Sequence, residues 1–313
     1  VDRGEPGSGL GLSPLIARTL ARRRRYPTVR SETVRRRQII FGAAAMMTAT
    51  GAVLATAAAS PKAPARGPTP SAAAVTTPRG EPSPTPQERT PEWGRDFYFT
   101  RAIYSGSRGF RRGGSWAIDF PKADRQFLFV LHRLLTRLDL YDSENPVSLA
   151  DPELRRYPFL YMLEVGGMSL TDPEVKGLHD YLEAGGFLVV DDFWGSRALA
   201  NFEYEMSRVL PDRKIREIPM DHRIFHQFYD IDEILQVPNI GNGMRGPPYE
   251  ECYGCAPRVF GIFNDRDELM VVVNWNTDLG DAWEWSENPY YPIDRSNFAY
   301  ELAINYIIYG LSH

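Results

Sequence analysis

The sequence predicts an open, largely parallel α/β sheet with helices on both faces, on three observations. Between Trp93 and the C-terminus, apolar runs of strand length alternate with stretches of helical periodicity. The runs PFLYMLEV (158–165) and GFLVVDDF (186–193) stay apolar until near their ends, the pattern of strands covered on both faces. Helix start and stop signals fall between these runs, so each strand is followed by a crossover rather than a hairpin.

FYFTRAIY (97–104) reads as the first strand, followed by the Gly- and Arg-rich loop SGSRGFRRGGSW. Lys122 to Asp139 carries Phe127, Val130, Leu131, Leu134, Leu135 and Leu138 at helical spacing, one face for packing on a sheet. After the 158–165 strand, Thr171-Asp172-Pro173-Glu174 supplies a cap, an early proline and acids where the helix dipole favours them, and Gly185-Gly186 supplies the stop. A second amphipathic helix is expected over Ser196–Leu210 and a short strand over Lys214–Ile218. RVFGIFND (258–265) and ELMVVVNW (268–275) read as two strands around the turn Asp265-Arg266-Asp267, an antiparallel addition at one edge, and Ser296–Tyr309 closes the chain as a helix. Two long stretches, 238–257 and 276–294, are rich in Gly, Pro, Trp and Tyr; loops this long in a compact domain usually bind something.

The first third has a different character. Residues 1–38 hold ten Arg against Asp2, Glu5 and Glu32, a net charge of +7, and residues 39–92 hold four bases and three acids. The formal total of −4 therefore leaves −12 on residues 93–313, a charge that repels nucleic acid and anionic lipid. Ile39 to Ala59 is uncharged and long enough, at about 30 Å as a helix, to cross a bilayer. The arginines before it predict a cytoplasmic N-terminus and a periplasmic C-terminal domain, a single pass through a bacterial inner membrane. Arg36-Arg37-Gln38-Ile39-Ile40 resembles a twin-arginine export signal, and Ala57-Ala58-Ala59 satisfies the small-x-small rule for cleavage before Ser60. Retention as an anchor in the lipid bilayer is the favoured reading, with cleavage as the alternative. Residues 60–92 are Pro-, Ala- and Thr-rich and have too few large apolar side chains for a core, so they are expected to form an extended linker.

Cys252 and Cys255 are the two cysteines, spaced C-x-x-C. Ala256 stands where haem attachment needs His, and zinc would need two further ligands, so a local disulfide is the main reading; free thiols remain open.

Four signatures occur in order: F-x-x-x-R-x-x-Y on Phe97, Arg101 and Tyr104; YPFLYM (157–162); YLEAGGFLVVDDF (181–193); and D-H-x-I-F from Asp221 to Phe225. With these, residues 95–311 resemble the domain-of-unknown-function family 4159. That family is similar in fold to the class I glutamine amidotransferase-like superfamily, which implies an amidotransferase-like sheet and brings no activity. An amidotransferase needs a nucleophilic Cys on a sharp turn after the 158–165 strand. The chain reads Val165-Gly166-Gly167-Met168-Ser169 there; Ser169 is the nearest hydroxyl, and its context reads more simply as the start of a helix.

The polar candidates for a ligand site are Arg101, Glu164, Asp191, Asp192, His222 and Asn274, expected near the carboxyl ends of strands. The structural alternative for Asp191 and Asp192 is a cap together with an ion pair to an Arg such as Arg101. Trp275, Trp283, Trp285, Tyr290 and Tyr291 are candidates for a partner-contact surface, a sugar-stacking platform or loop packing. No catalytic residue, cofactor or metal is expected. The leading expectation is a non-catalytic accessory subunit anchored by residues 39–59 whose domain docks on an integral membrane protein complex, photosynthetic or respiratory. The alternative is a soluble exported hydrolase or glycan-binding protein using Asp191, Asp192 and His222.

Overall fold

The computed structural model describes residues 94–106, 115–250 and 252–312. The expected tail, membrane segment and linker lie outside the described residues. Among the described residues no helix is long and apolar enough to cross a membrane.

Seven strands form one mixed sheet: β1 (Thr100–Ile103), β2 (Asn145–Ser148), β3 (Phe159–Leu163), β4 (Phe187–Asp191), β5 (Arg216–Glu217), β6 (Arg258–Phe263) and β7 (Leu269–Trp275), in the spatial order β2-β1-β3-β4-β7-β6-β5. β2, β1, β3, β4 and β7 run parallel; β6 is antiparallel to both β7 and β5. Among the described residues the α-helices are α1 (Lys122–Leu134), α2 (Asp172–Glu183), α3 (Gly195–Val209), α4 (Ile240–Arg245), α5 (Leu279–Glu284) and α6 (Ile293–Gly310).

The chain steps from β1 outward to β2, then back across β1 to β3 and onward to β4, so the winding reverses between β1 and β3. Right-handed crossovers then put the helices of the two directions on opposite faces. Alternate strand residues carry this out. Phe97, Phe99, Phe159, Tyr161, Phe187 and Val189 face Phe127 of α1, Trp283 of α5 and the apolar side of α6, while Leu160, Met162, Leu188, Val190 and Val273 face Leu178 of α2 and Met206 of α3. Every side chain of β3 and β4 is buried, as their unbroken apolar sequence requires.

The second strand of the expected hairpin has a different place. β7 pairs parallel to β4 in the body of the sheet, and only β6 and β5 extend beyond it. The reason is burial: six of the seven β7 residues are buried, too apolar for a rim position, whereas β6 alternates and β5 is exposed. The helix expected over 122–139 ends at Leu134, and the stretches 238–257 and 276–294 each contain a one- to two-turn helix. α2 begins with a capping box: Glu174 Oε2 accepts from the Thr171 amide at 2.7 Å and from its hydroxyl at 2.8 Å.

Gly177 sits in the middle of α2 because the helix passes against the chain leaving β2. A Cβ there would lie 1.8 Å from the carbonyl oxygen of Leu149, a backbone atom that cannot swing aside. Gly177→Ala is expected to destabilise the domain by about 2 kcal/mol or more in urea unfolding, while Lys176→Ala on the neighbouring exposed face stays within about 0.5 kcal/mol.

Candidate functional site

The carboxyl ends of β3, β4 and β7, with the segment entering α1, carry one group of acids. Asp191 is the last residue of β4 and Asp192 follows it; Glu164 follows β3; Asp278 and Asp281 belong to the N-terminal turn of α5, with Glu284 at its end; Asp119 stands three residues before α1. Four of the positions flanking these strand ends have left-handed backbone: Glu164 (φ 54°), Asp192 (φ 48°), Asn276 (φ 60°) and Asp119 (φ 60°). Asp and Asn tolerate this region through local hydrogen bonding; Glu does so less readily, so Glu164 marks a sharp, strained turn.

One oxygen each of Asp119, Asp192 and Asp278 lies within 4.8 Å of the others, and the same holds for Asp119, Asp281 and Glu284. Asp192, Asp278 and Asp281 are buried and Asp119 half-buried. Their protonation follows from that crowding. Burial raises Asp192 well above the usual carboxylate range, with Glu164 and Asp119 adding like charge. Burial likewise raises Asp278, reinforced by Asp192 and Asp281, and raises Asp119, reinforced by Asp281 and only partly opposed by Arg101. Asp281 is also raised by burial, although the Ile240 amide, 2.6 Å from its Oδ2, and its contacts with Glu284 and Asp119 favour its charged form.

Asp191 forms the wall of this group. Its Oδ2 accepts from Tyr161 Oη (2.8 Å) and from the amides of Leu279 (2.9 Å) and Gly280 (3.1 Å), so it binds the first turn of α5 to β4. These donors lower its pKa, but burial outweighs them and leaves it at about 7. Its Oδ1 is buried and has no hydrogen-bond partner, as is Oδ2 of Asp119. Asp192 turns away from its neighbour and accepts from Trp194 Nε1 at 3.1 Å.

Arg101 does not pair with Asp191 or Asp192, contrary to the structural expectation. It is 1% exposed and is committed to Asp124 of α1, with Nε donating to Oδ1 at 2.9 Å and Oδ2 at 3.1 Å and a second guanidinium nitrogen also on Oδ1. Its remaining donors reach the carbonyls of Trp116 (3.2 Å) and Ile118 (3.0 Å). Burial alone would lower the Arg101 pKa; pairing with Asp124 outweighs it and raises the value.

The structure does not bring His222 to this group. His222 packs at the opposite end of the sheet, against Phe263 and Tyr309, and its Nδ1 accepts from the Ile224 amide at 3.2 Å. Tyr309 in turn receives the amide of Leu269, where β7 begins. Burial and the neighbouring Arg223 lower the His222 pKa. Asn274 is a brace, donating to the Val190 carbonyl at 3.1 Å and accepting from Tyr306 Oη at 2.8 Å.

The five aromatic residues do not share one surface. Trp283 is core, packed on Phe127, Phe99 and Tyr161. Tyr291 is buried, its hydroxyl donating to the Pro238 carbonyl at 2.7 Å; Trp275 packs on Phe260; and Trp285 lies half-buried under the ammonium of Lys122. Tyr290 alone of the five is exposed, at 75%. Cys252 and Cys255 are joined by a disulfide whose loop sits beside Asn276: Gln236 Nε2 donates both to the Cys255 carbonyl (2.7 Å) and to the Asn276 carbonyl (3.1 Å).

Sequence reasoning missed Asp119, Asp278, Asp281 and Glu284. The last three are spaced i, i+3, i+6, the period that puts acids on one helical flank, and that spacing was readable within a stretch taken as loop. Asp119 has no comparable local signal.

A family model described as Domain of unknown function (DUF4159) matches residues 99–311. No curated protein matches the chain.

Two outcomes follow from these charges. A carboxyl whose pKa is raised on folding stabilises the native state fully below its unfolded value and loses that contribution as pH climbs toward the folded one. For Asp191 the window runs from the ordinary 3.8 to about 7, worth on the order of 4 kcal/mol. Asp119, Asp192 and Asp278 shift in the same direction, so the melting temperature in chelator should fall as pH is raised from 4 to 8. Removing one partner of the buried pair, as in Asp124→Ala, is expected to cost about 3–5 kcal/mol, and Arg101→Met with Asp124→Leu should recover most of it in denaturant titrations.

Proposed function

The chain belongs to the DUF4159 family, and we propose that it is a non-catalytic accessory subunit whose α/β domain docks on an integral membrane protein complex. The observation that carries this reading is Glu164. It occupies the sharp left-handed turn directly after β3, where an amidotransferase-like enzyme presents its nucleophilic Cys. We take the sheet as amidotransferase-like in this finer sense, with the elbow kept and the nucleophile replaced by a carboxylate that crowds Asp192. A carboxylate among like charges is a poor substitute for a thiolate activated by a base.

A docking role draws support from where apolar side chains are exposed. Met244, Tyr253, Tyr290 and Ile293 are 42%, 95%, 75% and 76% exposed, and all lie in the two segments that follow β5 and β7. These segments touch: a Cβ on Gly243, next to Met244, would lie 3.2–3.4 Å from Tyr291 and Pro292. Exposed aromatic and methionine side chains are a common feature of protein-contact surfaces. The periplasmic setting and the anchor rest on the uncharged segment 39–59, the arginines before it and the extended linker after it. The glycan-binding alternative has less support, since its stacking aromatics do not share one surface, two of the five being buried, and His222 lies away from Asp191 and Asp192.

The test is extraction of the protein from native membranes in mild detergent, followed by sizing and identification of what co-purifies. A chain that sediments with membranes inside a defined complex is the expected result. The double variant Tyr290→Ser, Ile293→Ser should lower the co-purifying fraction about tenfold, equivalent to about 1.4 kcal/mol, with an unchanged far-UV spectrum. A partner-free, soluble species starting near Ser60 would overturn the proposal.

A further inference from the structure

The acids at the strand ends raise a question that a docking role leaves open, because the charges face one another with little to offset them. Asp119, Asp192 and Asp278 come from three separate parts of the chain, and one oxygen of each falls within 4.8 Å of the others. Two of them are already held by their surroundings. Asp192 uses Oδ1 for Trp194 Nε1, and Asp278 uses Oδ1 for the Asp281 amide at 2.8 Å, which leaves the second oxygen of both for a shared ligand.

A second observation is independent of the charge count. Asp191 is wholly buried beside this group, and its Oδ1 lacks a hydrogen-bond partner; Oδ2 of Asp119 is also shut off from solvent without one. That Asp119 oxygen packs directly against Gly280. A Cβ built on Gly280 would stand 2.8 Å from Asp119 Oδ2, 3.1 Å from Tyr161 Oη and 3.4 Å from Asp278 Oδ1. A methyl group would not fit there without displacing Asp119, so these oxygens are crowded together against the first turn of α5. A buried acceptor without a donor is costly, and the two here, Asp119 Oδ2 and Asp191 Oδ1, beside three crowded carboxylates call for a positive species.

We propose that Asp119, Asp192 and Asp278 hold one hard divalent cation, of the Ca2+, Mg2+ or Mn2+ class, with Asp191 as the buried wall of its site. The donors are all oxygen, which suits these ions and disfavours thiophilic metals. Asp281 and Glu284 form the outer side. They approach Asp119 as well, but Asp281 is held by the Ile240 amide and Glu284 lies near Lys122. The cation would join the loop before α1 to the ends of β4 and β7, independently of whether any protein docks on the domain.

The alternative compensation is protonic, with Asp119, Asp281 and Glu284 sharing hydrogens. The experiment separates the two. The full-length protein in detergent, stripped with EDTA and dialysed, is titrated calorimetrically at pH 7.5 with CaCl2, MgCl2 and MnCl2 in turn, and its melting temperature is followed. At least one of the three salts is expected to bind at one ion per chain and, at a hundredfold excess over its dissociation constant, to raise the melting temperature by about 5 °C or more. Asp192→Asn and Asp278→Asn should each weaken binding about a hundredfold, and Glu284→Gln by less than about fivefold. Gly280→Ala keeps every charge and should also weaken binding, by pushing the Asp119 carboxylate out of place; far-UV spectra identify any variant that fails to fold. No heat and no melting shift with any of the three salts, or wild-type affinity in both folded Asn variants, would overturn the proposal in favour of proton sharing. Neither result bears on co-purification with a membrane complex.

Discussion

The pairing of Arg101 with Asp124 holds β1 and the segment before α1 in one arrangement. Arg101 rises from the middle of β1, and Asp124 lies in the first turn of the helix that returns along that face. The guanidinium also gathers the carbonyls of Trp116 and Ile118, so residues 116 to 124 are drawn against the ends of β1 and β3. Asp119 is carried on this segment, which explains how a residue from the region beyond β1 comes to lie beside the ends of β4 and β7. A buried pair of this kind contributes little net stability compared with apolar packing of the same volume. Its consequence here is geometric, because an Arg commits its planar fork to one direction and fixes everything that accepts from it.

With Arg101 neutralised by Asp124, the acids around Asp119 have little cationic relief. In a parallel α/β sheet the carboxyl ends of the strands are where turns must be tight and where side chains converge, so residues that tolerate left-handed backbone collect there. In this chain those residues are Asp119, Glu164, Asp192 and Asn276. Asn276 has a neutral side chain, and it serves as a junction: its Oδ1 receives the Gly195 amide at 2.9 Å and its Nδ2 donates to the Ala256 carbonyl at 2.9 Å, linking the end of β7 to α3 and to the disulfide loop. The other three bring charge into a shielded volume, and the pKa shifts reflect this frustration. Strain and like charge at one place, set on a sheet whose packing is otherwise well satisfied, is a pattern associated with function more than with stability.

The parts of this arrangement that were legible in the sequence are those decided by local pattern. The buried runs of β3 and β4 could be read as strands, and α2 could be bounded by Thr171 and the glycines after it, because burial on both faces and capping leave local marks. β7 was read as a strand but placed at the rim, since a tight turn between two strands signals a hairpin without saying which strand continues the sheet; the unbroken run LMVVV (269–273) was the available clue. Among the candidate residues, Glu164, Asp191 and Asp192 stand out in the sequence because they end apolar runs. Asp119 does not, as its place depends on Arg101 reaching Asp124 and on α5 folding over β4. Arg101 itself looked like a ligand residue, since a sequence does not reveal which acid a buried arginine will meet. The aromatic residues around 275–291 failed as a surface for a related reason: composition shows that a loop is rich in Trp and Tyr, and packing decides which face inward.

The proposed docking surface and the acidic group are mechanically connected. Tyr290 and Ile293 follow α5, whose first turn is held by Asp191 and Asp278; Met244 belongs to α4, whose first amide donates to Asp281. Tyr291 hydrogen-bonds to Pro238 just before α4, so the two segments bearing exposed apolar side chains are tied to each other as well as to the acids beneath them. Whatever balances the charge below, protons or a cation, acts on the residues that set the positions of both segments. A change in that balance alters the hydrogen bonds at the starts of α4 and α5 before it alters the sheet, because the sheet is fixed by packing on both faces while these short helices depend on the acids for their first turns. The carboxylates therefore bear most directly on the shape of the surface above them, with β3 and β4 as the rigid support.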